Sequence, residues 1–193
     1  MERRINVSTE IPFDKIWDGF FESDFFDLLY KHTKETPREI WRLTELCYRT
    51  ALDIGSNFIM KADVASALVK YSEEQLDNLD SQNQYRYRGL KKILIHMFNG
   101  IEKEFAYKKL EEKLMELQTN PIFTNPENEC SWIQGYVLHL FLEMLFDLDF
   151  LFYKPNRTSK PEKFYLVQFG SINDESYFAI NPIYAPGLRC VGN

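Results

Sequence analysis

The order of helical and extended patterns in the second half of this chain limits its fold more than any other feature. A first helical pattern starts at Leu90, and a second runs from about Glu102 to Gln118. A third stretch, "CSWIQGYVLHLFLEMLF", is apolar on nearly every side, which is typical of a buried helix. Short extended segments follow at 150–153, 163–169 and 177–180. Three helices followed by a small antiparallel sheet predict a winged-helix sub-domain.

The first half of the chain predicts a set of helices. One helix has a clear start, because Thr36 can cap it, Pro37 suits its first position and Glu39 stands three residues after the threonine. Gly55 marks its end. Its inward residues, at helical spacing, are predicted to be Ile40, Leu43, Cys47, Ala51 and Ile54. Two further helices are predicted at 61–71 and 72–79, the second capped by Ser72 and Gln75.

A polar stretch, "SQNQYRYRG" at 81–89, separates the two halves. We therefore expect a helical, lid-like sub-domain at residues 1–85 and the winged-helix sub-domain at residues 86–193. The predicted fold class is mainly α, with a helical bundle followed by three helices and a small antiparallel sheet.

The net charge of -6 argues against a protein whose whole surface binds a phosphate backbone, since such binding depends on many Lys and Arg side chains. The opening "MERRINVSTEIPF" is polar, and no run of 18 apolar residues occurs. We expect a soluble, cytoplasmic protein without membrane contact.

Sequence patterns of known catalytic and metal sites are missing. The chain contains no GxxxxGK[ST], GxGxxG after a strand, HExxH or GxSxG pattern. Its cysteines, Cys47, Cys130 and Cys190, are odd in number and widely separated, which predicts reduced, buried thiols rather than disulfides or a zinc site. We expect neither catalysis by this chain alone nor a cofactor.

Arg38 is the first candidate site residue. It is the second residue of the capped helix, where the helix dipole disfavours a cation and a carboxylate is usual. Two interpretations stay open at this point. The arginine is either solvated or ion-paired within the chain, or it receives an anionic partner from elsewhere.

The loop "KPNRTSKPEK", residues 154–163, is the second candidate. It carries Lys154, Arg157, Lys160 and Lys163 against the single acid Glu162, a local charge of +3. Such a loop could contact the phosphate backbone of DNA or RNA, or it could be a solvated turn whose charges oppose edge-to-edge aggregation. The third helix is too apolar to read base edges, so we expect backbone contact at most.

Several stretches resemble bacterial P-loop ATPases of the AAA and KAP-like kind, which are often encoded in phage-defence loci. "ETPREIWRLTELCYRTALDIG" and "FIMKADVASALVKYSEEQLDNL" are similar to the helical lid with its Pro-Arg sensor, while "LEMLFDLDFLFY" and "YFAINPIYAPGL" resemble the closing winged-helix segments. The resemblance implies that Arg38 senses nucleotide phosphates held by an ATPase core. This chain lacks the Walker A lysine and the Walker B acid, so the resemblance implies a non-catalytic regulatory and partner-binding region, either split from a larger antiviral ATPase or a stand-alone relative.

A cluster of aromatic residues near the N-terminus predicts an interface. Such an apolar patch rarely stays exposed to water, and it would cover the ATPase core or a partner chain. We therefore expect an interface, with a homo-oligomer as one outcome, at Trp17, Phe20, Phe21, Phe25 and Phe26.

Overall fold

The computed structural model describes residues 25–34, 36–56, 59–163 and 172–192. The chain divides into two compact units, residues 1–73 and 74–193. The sequence predicts a later division, after residue 85.

The first unit contains helix α1 (Phe25–Lys31), helix α2 (Pro37–Asp53) and the start of helix α3 (Lys61–Asn83). The predicted cap of α2 is confirmed, because the Thr36 hydroxyl accepts a hydrogen bond from the Glu39 amide at 3.3 Å. Four of the predicted inward residues are buried, namely Ile40, Leu43, Cys47 and Ala51.

The end of α2 brings one correction. Ile54 was predicted to face inward, but its exposed fraction is 68%. It is the C-cap residue, where the chain has already left the helical path. Gly55 follows with a φ of +74°, the left-handed conformation that the sequence predicts for a helix end.

Helix α3 brings a second correction, because one helix of 23 residues replaces the two predicted ones. Ser72 and Gln75 were predicted to cap a new helix at this point. Both are buried inside α3 instead. The buried residues Ala67, Tyr71, Gln75 and Leu79 follow one another at a spacing of four through this point, so burial continues the helix where a polar pair suggested a start.

The second unit contains the helices α4 (Leu90–Phe98), α5 (Tyr107–Thr119), α6 (Pro121–Thr124) and α7 (Leu138–Asp147), and a 3-10 helix at Ser131–Gly135. The inward residues predicted for α4 are confirmed, since all are at most 1% exposed: Leu90, Ile93, Leu94, Met97 and Phe98.

Three boundaries differ from the sequence predictions in this unit. The predicted helix from Glu102 is a strand followed by α5. The predicted proline loop forms the single turn of α6, in which the Asn120 side chain accepts a hydrogen bond from the Ile122 amide. The predicted third helix is interrupted by extended residues at Tyr136 and Val137, so that only α7 is α-helical.

The strands β1 (Glu104–Ala106), β2 (Leu151–Lys154) and β3 (Tyr177–Ile180) form an antiparallel sheet in the order β1-β3-β2. Phe105, Phe178 and Tyr153 are aligned across the sheet and are buried against the helices. The second unit thus runs helix, strand, two α-helices, a 3-10 helix, a third α-helix, strand, loop and strand. The predicted fold class, mainly α with a small antiparallel sheet, is confirmed. The strand predicted at 163–169 falls almost entirely outside the described residues.

Candidate functional site

Arg38 lies on the first turn of α2, with its side chain exposed to solvent. Within the described residues, its guanidinium has no hydrogen-bond or ion-pair partner. The neighbouring carboxylate of Glu39 accepts a hydrogen bond from the Tyr71 hydroxyl at 2.5 Å. The nearest acid in the sequence is therefore used to hold α2 to α3 within the first unit.

The chemistry of this helix start favours an anion. The first amides of a helix lack intrahelical acceptors and carry a partial positive charge, to which Arg38 adds a full charge. Thr36 satisfies the amide of Glu39, and Pro37 has no amide to satisfy. An incoming anion would therefore meet chiefly the guanidinium rather than a row of unpaired amides.

One of the predicted nucleic-acid contacts, that of Lys154, needs to be corrected. Lys154 is 3% exposed and forms an ion pair with Glu104. The register explains the pairing, because Lys154 on β2 and Glu104 on β1 lie on the same face of the sheet, on either side of β3. A phosphate backbone outside the protein cannot reach this ammonium group while the pair is formed.

The other three predicted contacts, Arg157, Lys160 and Lys163, are exposed. Their loop leaves β2 at Lys154 and returns to pair with the strand again, since Tyr153 and Glu162 exchange backbone hydrogen bonds of 2.9 and 2.8 Å. The Asn156 side chain accepts bonds from the amides of Thr158 and Ser159 and so shapes the turn. The three cations make no ion pair with any described residue.

Helix α7 is the α-helical part of the predicted third helix. Its exposed positions are apolar, acidic or histidine and include no lysine or arginine: His139, Leu140, Glu143 and Asp147. This surface offers no basic side chain to a phosphate backbone or to the acceptor atoms of guanine.

The sequence reading missed a groove of about 810 Å3 beside strand β1. We call it the β1 groove, and its charged lining consists of Glu102, Lys103, Glu104, Lys109 and Arg157. Residues 100–106 form one wall, and Val191 and Gly192 contribute from the end of the described chain. The sequence predicts a helix over residues 102–118. A helix has no unpaired strand edge, so the groove could not be expected from that prediction.

The predicted aromatic interface lies largely outside the described residues. Trp17, Phe20 and Phe21 precede them, while Phe25 and Phe26 belong to α1 without described side-chain surroundings. The interface and the homo-oligomer stay predictions.

The thiols are poor nucleophiles in this structure. Burial, with a contribution from Asp63, raises the pKa of Cys47 to about 12. Burial likewise raises the pKa of Cys130 and of Cys190 to about 11. Since the thiolate is the reactive form, these side chains do not suggest covalent catalysis.

The described residues include no group of three His, Cys, Asp or Glu side chains placed to hold a metal ion. They also include no helix that is long and apolar enough to cross a membrane.

The comparison with protein families bears on the part of the chain that carries Arg38. Residues 1–80 match a family model described as a FunZ-associated C-terminal helical domain. The match covers 80 of 193 residues, so it extends over α1, α2 and most of α3 but over none of the later helices and strands. No curated protein and no solved structure gives a significant match to the chain.

Proposed function

We propose that this chain is a non-catalytic regulatory and partner-binding region that works with a P-loop ATPase. The observation that carries the proposal is the placement of Arg38, an exposed cation on a helix start without an acidic partner among the described residues. A nucleoside triphosphate held by the ATPase is the anion that Arg38 would contact. The cation then couples the nucleotide state to the position of α2.

Two observations support this proposal. The match of residues 1–80 to a domain described as C-terminal and helical fits a region that acts together with another domain. The hydrogen bond between Tyr71 and Glu39 joins the first turn of α2 to α3. A displacement of Arg38 would therefore also move a second helix of the same unit. Such a connection between a ligand contact and a rigid element is what a regulatory region requires.

The test uses the P-loop ATPase that is encoded in the same polypeptide or operon. ATP turnover and nucleotide affinity are measured for the ATPase with this region and for the ATPase without it. We expect the region to change one of the two quantities by about tenfold, the size of a typical coupling between sites. Equal values with and without the region would contradict the proposal, as would a gene neighbourhood without any Walker A sequence.

A second candidate function is contact with a nucleic-acid backbone through the loop at 155–163. Its support is the exposure of Arg157, Lys160 and Lys163 without ion pairs among the described residues. The proposal is narrower than the sequence suggested, because Lys154 is engaged by Glu104. A triple change of the three exposed cations to Glu should abolish salt-sensitive binding of a fluorescent DNA duplex. Absence of binding by the parent chain at low salt would contradict it.

A further inference from the structure

Strand β1 lies at an edge of the sheet. The hydrogen bonds of the residues next to it show which of its backbone groups face β3. The Ile180 amide donates to the Lys103 carbonyl at 2.9 Å, and the Tyr107 amide donates to the Ser176 carbonyl at 2.9 Å. In an antiparallel pair the residues that face the partner strand alternate, so Phe105 also faces β3. The backbone groups of Glu104 and the amide of Ala106 therefore point away from the sheet.

The start of this outer edge is already covered by another segment of the chain. Val191 forms a parallel bridge to Glu102, in which the Lys103 amide donates to the Val191 carbonyl at 3.0 Å. The Val191 amide donates in turn to the Ile101 carbonyl at 2.8 Å. This edge thus accepts an extended segment. The coverage ends at Lys103, and the outward groups of Glu104 and Ala106 have no backbone partner among the described residues.

The charges around this open edge favour an acidic occupant. Lys103, Lys109 and Arg157 line the β1 groove, and Lys103 and Arg157 have no ion pair within the described residues. The charge of Glu104 is offset by Lys154. Lys109 is likewise paired with Glu112, at 3.3 Å. Among the charged residues of the groove lining, Glu102 therefore opposes two cations that lack an ion pair, Lys103 and Arg157, which leaves one excess positive charge although the whole chain carries a net charge of -6.

We propose that the β1 groove binds an acidic peptide segment in an extended conformation, which adds as a strand to the open edge of β1. The peptide backbone would donate to the Glu104 carbonyl and accept from the amides of Glu104 and Ala106. Its acidic side chains would meet Lys103, Lys109 and Arg157. The proposal goes beyond the proposed regulatory function, since neither Arg38 nor a nucleotide takes part.

The open edge favours a peptide over a nucleic acid. It presents both donors and an acceptor, namely the amides of Glu104 and Ala106 and the Glu104 carbonyl. A peptide strand supplies donors and acceptors in alternation, which is the basis of strand addition to a sheet edge. A phosphodiester backbone supplies acceptors only and leaves the carbonyl unpaired. A nucleic acid would use the cations without using the edge.

The experiment measures binding of a defined peptide to the full chain by fluorescence anisotropy. The probe is an acetylated and amidated octapeptide of alternating Glu and Val that carries an uncharged fluorophore. The control probe has the same sequence with every amide N-methylated, which keeps the charge and removes the donors. We expect saturable binding of the first probe and at least tenfold weaker binding of the second. Equal binding of both probes, or no binding of the first, would overturn the proposal.

Two variants test the residues of the groove. Ala106→Pro removes one outward amide, and the φ of -75° at this residue already suits proline. We expect this change to weaken peptide binding about fivefold or more. Arg157→Gln should weaken it about two- to fivefold, whereas Lys160→Gln, in the same loop but outside the groove lining, should leave it unchanged. Circular dichroism and thermal unfolding establish that each variant is folded.

A nucleic-acid competitor distinguishes the other occupant. An oligothymidylate with the same number of negative charges as the peptide is added to the bound probe. We expect it to displace the peptide weakly and to bind the Ala106→Pro variant as well as the parent, because it cannot use the edge. An oligonucleotide that binds more tightly than the peptide and loses affinity through Ala106→Pro would overturn the assignment of a peptide. If Ala106→Pro is unfolded, the comparison of the two peptide probes and the Arg157→Gln result decide alone.

Discussion

The hydroxyl of Tyr71 donates a 2.5 Å hydrogen bond to the carboxylate of Glu39, the residue that follows Arg38. Tyr71 is fully buried, and its partner lies in the first turn of α2. The bond joins two helices of the first unit next to the cation on which the proposed function rests. A carboxylate at this position is also stabilised by the amino end of its helix.

The hydrogen bond predicts a measurable loss of stability in Tyr71→Phe. Removing the hydroxyl leaves the buried ring in place and costs about 1–3 kcal/mol, because the lost bond is to a charged group. Urea unfolding followed by circular dichroism measures the change. Tyr48→Phe is the matched control in the same unit, since no hydrogen bond of its hydroxyl is found among the described residues. Equal effects of the two changes would contradict this role of Tyr71.

Gly89 should be far less tolerant of substitution than Gly100. Both have a positive φ, of +69° and +73°, but a Cβ at residue 89 would lie 2.5 Å from the Cys130 sulfur, whereas a Cβ at residue 100 would meet nothing within 4 Å. Gly100→Ala should cost about 1 kcal/mol of unfolding free energy for the backbone conformation alone. Gly89→Ala should cost about 1–3 kcal/mol more for the overlap. Urea unfolding of the two variants gives the comparison.

The double variant Gly89→Ala with Cys130→Ala supplies the control for the overlap. Removal of the sulfur should recover part of the stability lost by Gly89→Ala, although Cys130→Ala alone destabilises a buried site. Additive effects of the two changes would contradict the assigned contact.

The ion pair of Lys154 with Glu104 predicts that removing the carboxylate lowers the unfolding free energy more than removing the ammonium group does. Glu104→Gln leaves the ammonium group of Lys154, whose side chain is 4% exposed, without its counter-charge and should cost about 2 kcal/mol or more. Lys154→Met leaves the carboxylate of Glu104, whose side chain is 42% exposed and which stays hydrated, so its cost should fall below about 1 kcal/mol. Urea unfolding of both variants under the same conditions measures the difference. A larger cost for Lys154→Met would show that the buried ammonium is not the sensitive partner.

The raised pKa of Cys47 predicts that the unfolding free energy falls at alkaline pH. Its pKa is raised from 9.0 to about 12 in the folded protein, so the unfolded chain releases the thiol proton first as the pH rises. The contribution of this thiol is complete below pH 9 and is lost between pH 9 and 12, by up to about 1.4 kcal/mol per pH unit. Unfolding free energies at pH 8, 9 and 10 should fall more steeply for the parent than for Cys47→Ala. Parallel slopes would contradict the raised pKa.

Much of the fold could be predicted where one local signal and burial agree. Thr36 and Gly55 bound α2 because a cap and a left-handed glycine act within a few residues. The strand at Tyr177–Ile180 coincides with its predicted range. Strand β1 was missed because three residues are too short to show an alternating pattern, and Phe105 is buried in a strand as it would be in a helix.

The candidate sites depended on contacts that sequence spacing does not reveal. A count of charges placed Lys154 with the exposed cations, but only the register of β1 and β2 on β3 brings it to Glu104. The β1 groove likewise requires Val191 to meet Glu102 from a distant part of the chain. The position of Arg38 at a helix start could be predicted because the signals for that start are local. Its predicted role in sensing nucleotide stays a prediction.

The rate of a single ATP turnover by the complete assembly tests the role of Arg38 most directly. Arg38→Ala is compared with Arg49→Ala, a change on the same helix at an exposed arginine that is ion-paired with Glu45 at 2.6 Å. We predict that Arg38→Ala slows hydrolysis at least tenfold at saturating ATP, that Arg38→Lys restores part of the rate, and that Arg49→Ala has no effect. An unchanged rate in a folded Arg38→Ala assembly would contradict the account.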